Sequence, residues 1–203
     1  MPLNGEGKLW GTLGDSLTSV GMYQPLVQRA LGFREVLNYG RSGCSMTAGG
    51  DRDLGATVHI GKTIDPGLDY VTIFAGTNDF RLDKPLGTPD SYEINNFYGA
   101  YRSLVEHILT NNTACRLNLW TPLQRDKDGF DTISVNAAGC RLLDYVEAIR
   151  DIGLQYALPV LDLYRESGFT KLTLPLLTDD GLHPNEAGYA RIAQLACSFL
   201  SRI

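Results

Sequence analysis

Short apolar runs alternate with amphipathic stretches along most of the chain. Five of these runs have the length and the bounding turn residues of strands that are buried on both faces. They are KLWGTL (8–13), EVLNYG (35–40), DYVTIFAG (69–76), CRLNLWTP (115–122) and LPVLDLY (158–164). The third run is the clearest, because β-branched and aromatic residues fill it as far as its closing glycine. The pattern therefore predicts five strands.

Between the strands, apolar residues recur with the spacing of one helix face. Three sets follow the i, i+3, i+4, i+7 pattern, and weaker patterns cover residues 22–31 and 51–61. The three sets are Ile94, Phe97, Tyr98, Tyr101, Leu104, Val105 and Ile108; Ala138, Leu142, Tyr145, Val146, Ile149 and Ile152; and Ala190, Ala193, Ala196, Phe199 and Leu200. Asn185 is the predicted N-cap of the last helix, and Pro184 stands just before it.

The alternation of strands and helices predicts the α/β class, with a parallel sheet covered by helices on both faces. Because no internal repeat, low-complexity segment or linker interrupts the pattern, residues 1–203 are predicted to form one domain. In such sheets, ligands bind beyond the carboxyl ends of the strands. Two long polar segments, 79–92 and 122–134, leave those ends, and we expect them to form walls of a binding site.

The composition suits a globular protein with a sizeable core, since 43% of the 203 residues are hydrophobic and 20% are charged. The formal net charge is −5, and no long run of Lys or Arg is present. This balance argues against a nucleic-acid partner and against binding to an anionic membrane surface. No stretch approaches the roughly 18 apolar residues that a membrane span requires.

The four cysteines give a mild indication of the cellular compartment. Cys44, Cys115, Cys140 and Cys197 include no C-x-x-C pair of the kind that binds metals or exchanges disulfides. Three of the four sit in apolar or helix-like stretches, where a buried free thiol is the common case. Disulfides stay an open alternative. The first residues, MPLNGEGK, contain no apolar stretch typical of a signal peptide, so a reducing, cytoplasmic compartment is the default expectation. A secreted protein that has lost its signal would look the same.

Four clusters of small polar residues follow the predicted strands at the edge where a ligand is expected. Ser16 comes after the first strand, GRSGCS (40–45) after the second, GTND (76–79) after the third, and DDGLHPN (179–185) after the last. Transfer of an acyl group from an ester needs a hydroxyl, a base that removes its proton, and a carboxylate that orients the base. It also needs hydrogen-bond donors for the oxyanion of the tetrahedral intermediate.

Each of these tasks has a candidate residue. Ser16 is the candidate nucleophile, His183 is the best base among three histidines, and Asp180 stands three residues before it. The candidate oxyanion donors are the backbone N–H of Ser16, the backbone N–H of Gly43 and the side-chain amide of Asn78. A glycine at position 43 would let the backbone approach a substrate closely.

In these four blocks the chain resembles the GDSL esterases, which are also called the SGNH hydrolase superfamily. Ser16 lies in G-D-S-L, Gly43 in N-Y-G-R-S-G, Asn78 in G-T-N-D, and Asp180 with His183 in D-G-L-H-P-N, in the family's order. The resemblance spans nearly the whole chain, and four ordered blocks are far more specific than G-D-S-L alone. It implies a three-layer α/β/α sandwich with a five-stranded parallel sheet, of flavodoxin-like type, and ester hydrolysis through an acyl-enzyme without a cofactor or a metal.

Several of these residues also have a plain structural interpretation. Ser16 could cap the helix after the first strand, and Asn78 and Asp79 could form a turn after the third. Asp179 competes with Asp180 as the orienting carboxylate, although the i, i+3 spacing to the histidine favours Asp180. The candidate substrate-binding residues are Asp79, Tyr92, Trp120, Arg125 and Phe130.

These observations predict a serine esterase that removes a small acyl group, most simply acetyl, from a small-molecule or carbohydrate ester. Lysophospholipase or thioesterase activity is the alternative within the same family. A non-catalytic carbohydrate- or phosphate-binding module is the alternative of another class, but the chain lacks G-x-x-x-x-G-K-[ST] and G-x-G-x-x-G. His59 and His107 are predicted to be structural, and no metal site is expected. The oligomeric state stays open, with a homo-oligomer as one alternative.

Overall fold

One five-stranded sheet forms the centre of the computed structural model, which describes residues 5–49 and 55–203. The strands are β1 (Leu9–Gly14), β2 (Glu35–Asn38), β3 (Tyr70–Phe74), β4 (Arg116–Trp120) and β5 (Val160–Leu161). They pair in the order β2-β1-β3-β4-β5, and every pairing is parallel. The predicted five-stranded parallel sheet is confirmed.

Helices connect the strands and cover the sheet. Within the described ranges they are α1 (Ser16–Ser19), α2 (Tyr23–Leu31), α3 (Thr57–Gly61), α4 (Thr77–Arg81), α5 (Phe97–Asn111), α6 (Leu142–Gln155), α7 (Leu163–Glu166), α8 (Leu174–Leu177) and α9 (Glu186–Leu200). The predicted helices correspond to α2, α3, α5, α6 and α9. Residues 51–54, part of the helix predicted over 51–61, lie outside the described residues.

Side chains alternate between the two faces of the sheet, as the period of a strand requires. In β3, Val71 and Ile73 belong to one core together with residues of α5 and α6. Tyr70 and Phe74 belong to a second core together with residues of α2 and α9. The sheet therefore lies between two helical layers, which confirms the predicted α/β/α sandwich.

A series of hydrogen-bonded polar side chains crosses the second core. Trp10 Nε1 donates to Thr72 Oγ1 over 2.9 Å, and Thr72 Oγ1 donates to Asn118 Oδ1 over 2.9 Å. Trp120 Nε1 donates to the same Asn118 oxygen over 2.9 Å. Because the indole of Trp120 is fully buried in this arrangement, the structure places it in the core and not at a substrate-binding wall.

Four strands, β2 to β5, are shorter than the apolar runs that predicted them, and side-chain contacts account for where β2 and β5 end. β2 ends at Asn38, where the side chain accepts the N–H of Gly40 over 2.9 Å and turns the chain. β5 has only two residues, because Asp162 directly after it caps α7 by accepting the N–H of Arg165. Short side-chain-to-backbone contacts therefore set both boundaries.

The strand order creates a crevice between β1 and β3. From β1 the chain runs to the edge strand β2 and then returns to pair β3 with the other side of β1. The connections that leave β1 and β3 therefore diverge at their carboxyl ends, which is where ligands bind in sheets of this kind. Asp15 alone separates Ser16 from the end of β1, and Asn78 lies in α4 shortly after the end of β3.

The four cysteines contribute no crosslink. All of them are free, and the buried Cys44 thiol donates to the carbonyl of Gly14 over 3.5 Å. None of the helices in the described ranges is both long and apolar enough to span a bilayer.

Candidate active site

The turn after β1 presents Ser16 at the crevice. β1 ends at Gly14, where a Cβ atom would come within 2.3 Å of the carbonyl oxygen of Phe74. Only glycine lets β1 approach β3 this closely before the turn. Asp15 caps α1 by accepting the N–H of Leu17 over 2.9 Å, so the cap of this helix is Asp15, and the Ser16 hydroxyl faces elsewhere.

Ser16, His183 and Asp180 form a continuous hydrogen-bonded series. Ser16 Oγ lies 3.0 Å from His183 Nε2, although the two residues are 167 positions apart in the chain. His183 Nδ1 lies 2.7 Å from Asp180 Oδ2. The other carboxylate oxygen accepts the N–H of His183 over 2.8 Å and that of Leu182 over 3.1 Å. One oxygen of Asp180 therefore holds the backbone while the other faces the ring.

The loop between α8 and α9 holds His183 in place. The N–H of Asp179 donates to the carbonyl of His183 over 2.9 Å, so this competing aspartate acts here through its backbone. Gly181 has a φ of +82°, and a Cβ atom there would lie 2.0 Å from the carbonyl oxygen of Asp126. The N–H of Asp126 donates to the carbonyl of Gly181 over 2.9 Å, which ties the loop to the connection after β4. Asn185 caps α9 as predicted.

Asn78, in the first turn of α4, is held in one amide orientation. Its Nδ2 donates to the carbonyl of Cys44 over 2.9 Å, and its Oδ1 accepts from Arg81 Nε over 3.3 Å. An amide has two N–H donors, and the contact with Cys44 uses one of them. Gly43 directly precedes Cys44 and has a φ of +78°, a conformation that favours glycine. Arg81 was not predicted, and its only sequence signal is the i, i+3 spacing from Asn78.

An open depression of about 380 Å³ lies beside Ser16 and His183. Polar and apolar residues share its lining, which includes Ser19, Ser42, Asp179, Val20 and Met22. The two apolar members are 55% and 38% exposed, respectively. None of these five was predicted to bind substrate: Ser42 and Asp179 lie inside the motifs, where other residues were assigned the roles, and the other three carry no pattern of their own.

Three of the residues predicted to bind substrate are buried inside the molecule. Asp79, Trp120 and Arg125 are at most 1% exposed. Asp79 accepts the N–H groups of Met46 and Thr47 over 2.7 and 3.0 Å, which ties α4 to the connection after β2. A side chain that is fully covered in this way supports a site and offers no surface to a substrate.

The other two predicted substrate-binding residues lie on the long connections. Phe130 packs edge to face on Phe80, with ring centroids 5.3 Å apart. Tyr92 is 61% exposed, and its hydroxyl accepts from Arg102 Nη2 over 2.7 Å. Neither belongs to the described lining of the depression beside Ser16.

Charged side chains are buried below the crevice. Burial raises the pKa of Asp15 to about 7, although the hydrogen bond from Leu17 and the charge of Arg125 oppose the shift. Burial also raises the pKa of Asp79. Burial lowers the pKa of Arg125 to about 10, and its Nη1 donates to Thr77 Oγ1 over 3.1 Å. The crevice therefore rests on a buried guanidinium and two carboxyl groups that resist ionisation.

Asp180 differs from these two carboxyl groups. Burial alone would raise its pKa, but hydrogen bonds from Lys127 and from the backbone and ring of His183 hold the pKa well below its usual range. The Lys127 ammonium forms an ion pair with Asp180 Oδ2, the oxygen that also faces the ring. Asp180 is therefore ionised at neutral pH.

The remaining histidines lie outside this arrangement. His59 is exposed on α3, and His107 Nδ1 lies 3.3 Å from Asn111 Nδ2 on α5. Across the described residues, no group of three or more His, Cys, Asp or Glu side chains is arranged to hold a metal ion.

A family match covers most of the chain. The sequence profile of the GDSL-like lipase/acylhydrolase family matches residues 12–191. The chain belongs to this family. It is therefore a carboxylic ester hydrolase. The match begins inside β1 and ends inside α9, so it includes both Ser16 and His183.

Solved structures resemble this GDSL-family enzyme over almost its whole length. A protein from Lactobacillus plantarum is 28% identical with a TM-score of 0.88, over 97% of this chain and 98% of that one. A possible lipase from Chitinophaga pinensis is 23% identical with a TM-score of 0.77, over 96% and 98%. The lipase/acylhydrolase from Enterococcus faecalis is 23% identical with a TM-score of 0.66, over 96% of each chain. No curated protein gives a significant match.

Proposed function

We propose that this GDSL-family enzyme cleaves its ester through an acyl-enzyme on Ser16. The observation that carries the proposal is the hydrogen-bonded series from Ser16 Oγ through His183 to Asp180. A hydroxyl is a weak nucleophile, so it needs a base within hydrogen-bond distance at the moment of attack. His183 Nε2, 3.0 Å away, is that base, and Asp180 fixes the ring tautomer and stabilises the imidazolium.

The reaction has two half-reactions of the same kind. Ser16 Oγ attacks the ester carbonyl carbon while its proton moves to His183 Nε2. As the tetrahedral intermediate collapses, His183 gives the proton to the departing alcohol, and the acyl group stays on Ser16. Water then attacks the acyl carbonyl with His183 again as the base, which releases the acid and restores the hydroxyl.

In this proposal, the backbone N–H groups of Ser16 and Gly43 and the amide of Asn78 bind the oxyanion. The orientation of the Asn78 amide, which is set by Cys44 and Arg81, supports its part in this role. Donors that are fixed before the reaction need no reorganisation as charge develops on the substrate oxygen.

We further propose that the substrate is a small acyl ester, acetyl in the simplest case, on a carbohydrate. The lining of the depression supports this choice. Ser19, Ser42 and Asp179 offer hydrogen-bonding partners for sugar hydroxyls. Val20 and Met22 provide apolar contact for a short acyl group, whereas a long chain needs a deeper apolar cleft. Lysophospholipase or thioesterase activity would instead favour long acyl groups.

Replacing Ser16 tests the chemical step. Ser16→Ala should lower kcat on p-nitrophenyl acetate by about 10⁴-fold or more, and it should abolish labelling by a fluorophosphonate. Ser198→Ala, on the exposed side of α9, is the matched control and should retain both. Undiminished turnover by Ser16→Ala, with a normal unfolding transition, would contradict the proposal.

A series of esters tests the substrate. We expect kcat/KM to fall steadily from p-nitrophenyl acetate through butyrate to octanoate, and we expect release of acetate from acetylated oligosaccharides. A preference for octanoate would favour the lysophospholipase or thioesterase alternative, and it would contradict the small-acyl proposal without affecting the role of Ser16.

A further inference from the structure

A lysine shares the carboxylate that faces the ring of His183. Lys127 lies in the connection between β4 and α6, and its ammonium forms an ion pair with Asp180 Oδ2. His183 Nδ1 lies 2.7 Å from the same oxygen. The side chains of Lys127, Asp180 and His183 are 25%, 35% and 36% exposed, so water screens their charges only in part.

The backbone around Lys127 is fixed on several sides. Lys127 and Phe130 exchange two backbone hydrogen bonds over 3.1 and 2.9 Å. The carbonyl of Lys127 accepts from Arg125 Nη2 over 3.4 Å. The neighbouring Asp126 donates to Gly181 inside the loop that carries the aspartate and the histidine. The ammonium is therefore held near this loop, unlike that of a typical surface lysine, whose ion pairs contribute little.

We propose that Lys127 is a positioning residue that acts through Asp180 and lowers the proton affinity of His183. The inference rests on the proposed function, in which His183 is the base. A lone carboxylate favours the imidazolium form, whereas an ammonium on the same oxygen offsets its charge and repels a proton on the ring. His183 therefore stays neutral, and able to accept the proton of Ser16, down to a lower pH than Asp180 alone would allow.

Other charged groups lie on the loop of His183 and on the neighbouring elements, and the test must separate their effects from that of Lys127. They are Asp179 and Asp180 on its own loop, Asp15 beside α1, Arg125 and Asp126 after β4, Lys171 before α8, and Glu186 at the start of α9. Asp15 has a pKa of about 7, so its titration can overlap that of a histidine. The test therefore follows the His183 ring itself as well as turnover.

The first measurement is the pH dependence of kcat/KM on p-nitrophenyl acetate. Lys127→Met should move the acid limb to higher pH by about half to one unit, because a positive charge near the ring has been removed. A shift of this size corresponds to a roughly 3- to 10-fold loss of kcat/KM at pH values below the acid limb. On the plateau at higher pH, kcat/KM should change little. Lys127→Arg keeps the charge and should keep the wild-type limb.

Lys171→Met is the matched control. It removes the same charge from a lysine that is 75% exposed and lies 3.7 and 3.9 Å from Asp126 and Asp131. Since this ammonium does not contact Asp180, the acid limb should stay in place.

The second measurement is an NMR titration of the His183 ring nitrogens in the Ser16→Ala variant, with and without Lys127→Met. The chain has only three histidines, so the signals can be assigned. The His183 titration should move to higher pH by the same amount as the limb. If limb and ring titration both stay unchanged, or if activity falls equally at every pH, the proposal is overturned.

These readouts separate the two proposals. Full turnover by Ser16→Ala would rule out the proposed function. The NMR titration of the His183 ring needs no turnover, so it would still report the effect of Lys127. If Lys127→Met loses its cooperative unfolding transition, Lys127→Gln replaces it in both measurements, because glutamine is neutral and keeps a hydrogen-bond donor for Asp180.

Discussion

A carboxyl group with unusual surroundings stands next to Ser16. Asp15 is 2% exposed and has a pKa of about 7, against 3.8 for an ordinary aspartate. Between these values the folded chain holds a proton that the unfolded chain releases, so the free energy of unfolding falls as the pH rises. The stabilising contribution of Asp15 is complete below its unfolded pKa and is lost as the pH passes its folded pKa.

We predict that Asp15→Asn removes this part of the pH dependence. Asparagine still accepts the N–H of Leu17 and carries no buried charge. Between about pH 4 and 7, the wild-type protein should lose roughly 2–4 kcal/mol of unfolding free energy that the variant keeps, as measured by urea unfolding. The buried Asp79 contributes in the same direction in both proteins, and its charge also raises the pKa of Asp15, so the difference between them reports Asp15 together with this coupling.

Asp65→Asn is the control for this measurement. Asp65 also accepts a backbone N–H two residues ahead, from Gly67 over 2.7 Å, but it is exposed. The free energy of unfolding of Asp65→Asn should depend on pH in the same way as that of the wild type. Parallel pH curves for Asp15→Asn and the wild type would show that the buried carboxyl does not control stability in this range.

At the scale of elements, the loop between α8 and α9 depends on the absence of one side chain. Gly181 has a φ of +82°, and a Cβ atom there would lie 2.0 Å from a backbone oxygen of the connection after β4. Gly139 has nearly the same φ of +80°, but nothing lies within 4 Å of its Cβ position. Comparing a substitution at Gly181 with one at Gly139 therefore separates the cost of backbone strain from the cost of displacing the loop.

We predict that Gly181→Ala lowers kcat/KM more than tenfold, whereas Gly139→Ala changes it less than twofold. Both variants should lose about 1–2 kcal/mol of stability to the left-handed backbone, and only the first moves His183 away from Ser16. Steady-state kinetics and thermal unfolding of both proteins measure this. Equal effects of the two substitutions on kcat/KM would mean that the contact with Asp126 does not position His183.

The long helices could be predicted from the sequence, and most of the short ones could not. The apolar periods of α5 and α6 extend over several turns, so hydrophobic spacing alone identifies them. The helices α1, α4, α7 and α8 have only four or five residues each, which is too short for a hydrophobic period to reveal them. Their positions depend on contacts such as the cap that Asp15 provides.

The site was predictable where it depends on the sheet and unpredictable where it depends on side-chain direction. Parallel strands place all their carboxyl ends at one edge, so Ser16, Asn78 and His183 could be placed together. Trp120 also ends a strand, but the alternation of the strand turns it into the second core. The contact between Lys127 and Asp180 could not be predicted, because the path of a long loop leaves no periodic pattern in the sequence.

At the scale of the whole molecule, one polar side chain of β4 joins this strand to β3 inside an apolar core. Asn118 accepts from Thr72 and Trp120, and its Nδ2 donates to the carbonyl of Val71 over 3.0 Å. Such buried groups are expensive to leave without a partner, because no water replaces the lost hydrogen bond.

We predict that Asn118→Ala lowers the free energy of unfolding by about 2–4 kcal/mol, since it leaves the donors of Thr72 and Trp120 unpaired. The kcat/KM per folded molecule should change little, because these contacts lie within the strands and away from the carboxyl edge. Asn111→Ala, at an exposed position on α5, should cost less than about 0.5 kcal/mol. Urea unfolding followed by tryptophan fluorescence compares the two variants, and an equal effect would contradict the prediction.

The distance of 167 positions between Ser16 and His183 also has a consequence in time. During synthesis Ser16 emerges first, and all five strands precede His183 in the chain. A nascent chain that has already begun to build the sheet therefore carries a hydroxyl with no group to take its proton. The reaction that we propose becomes available only when the loop before α9 has been made and has reached the crevice, so reactivity toward esters reports the completion of folding.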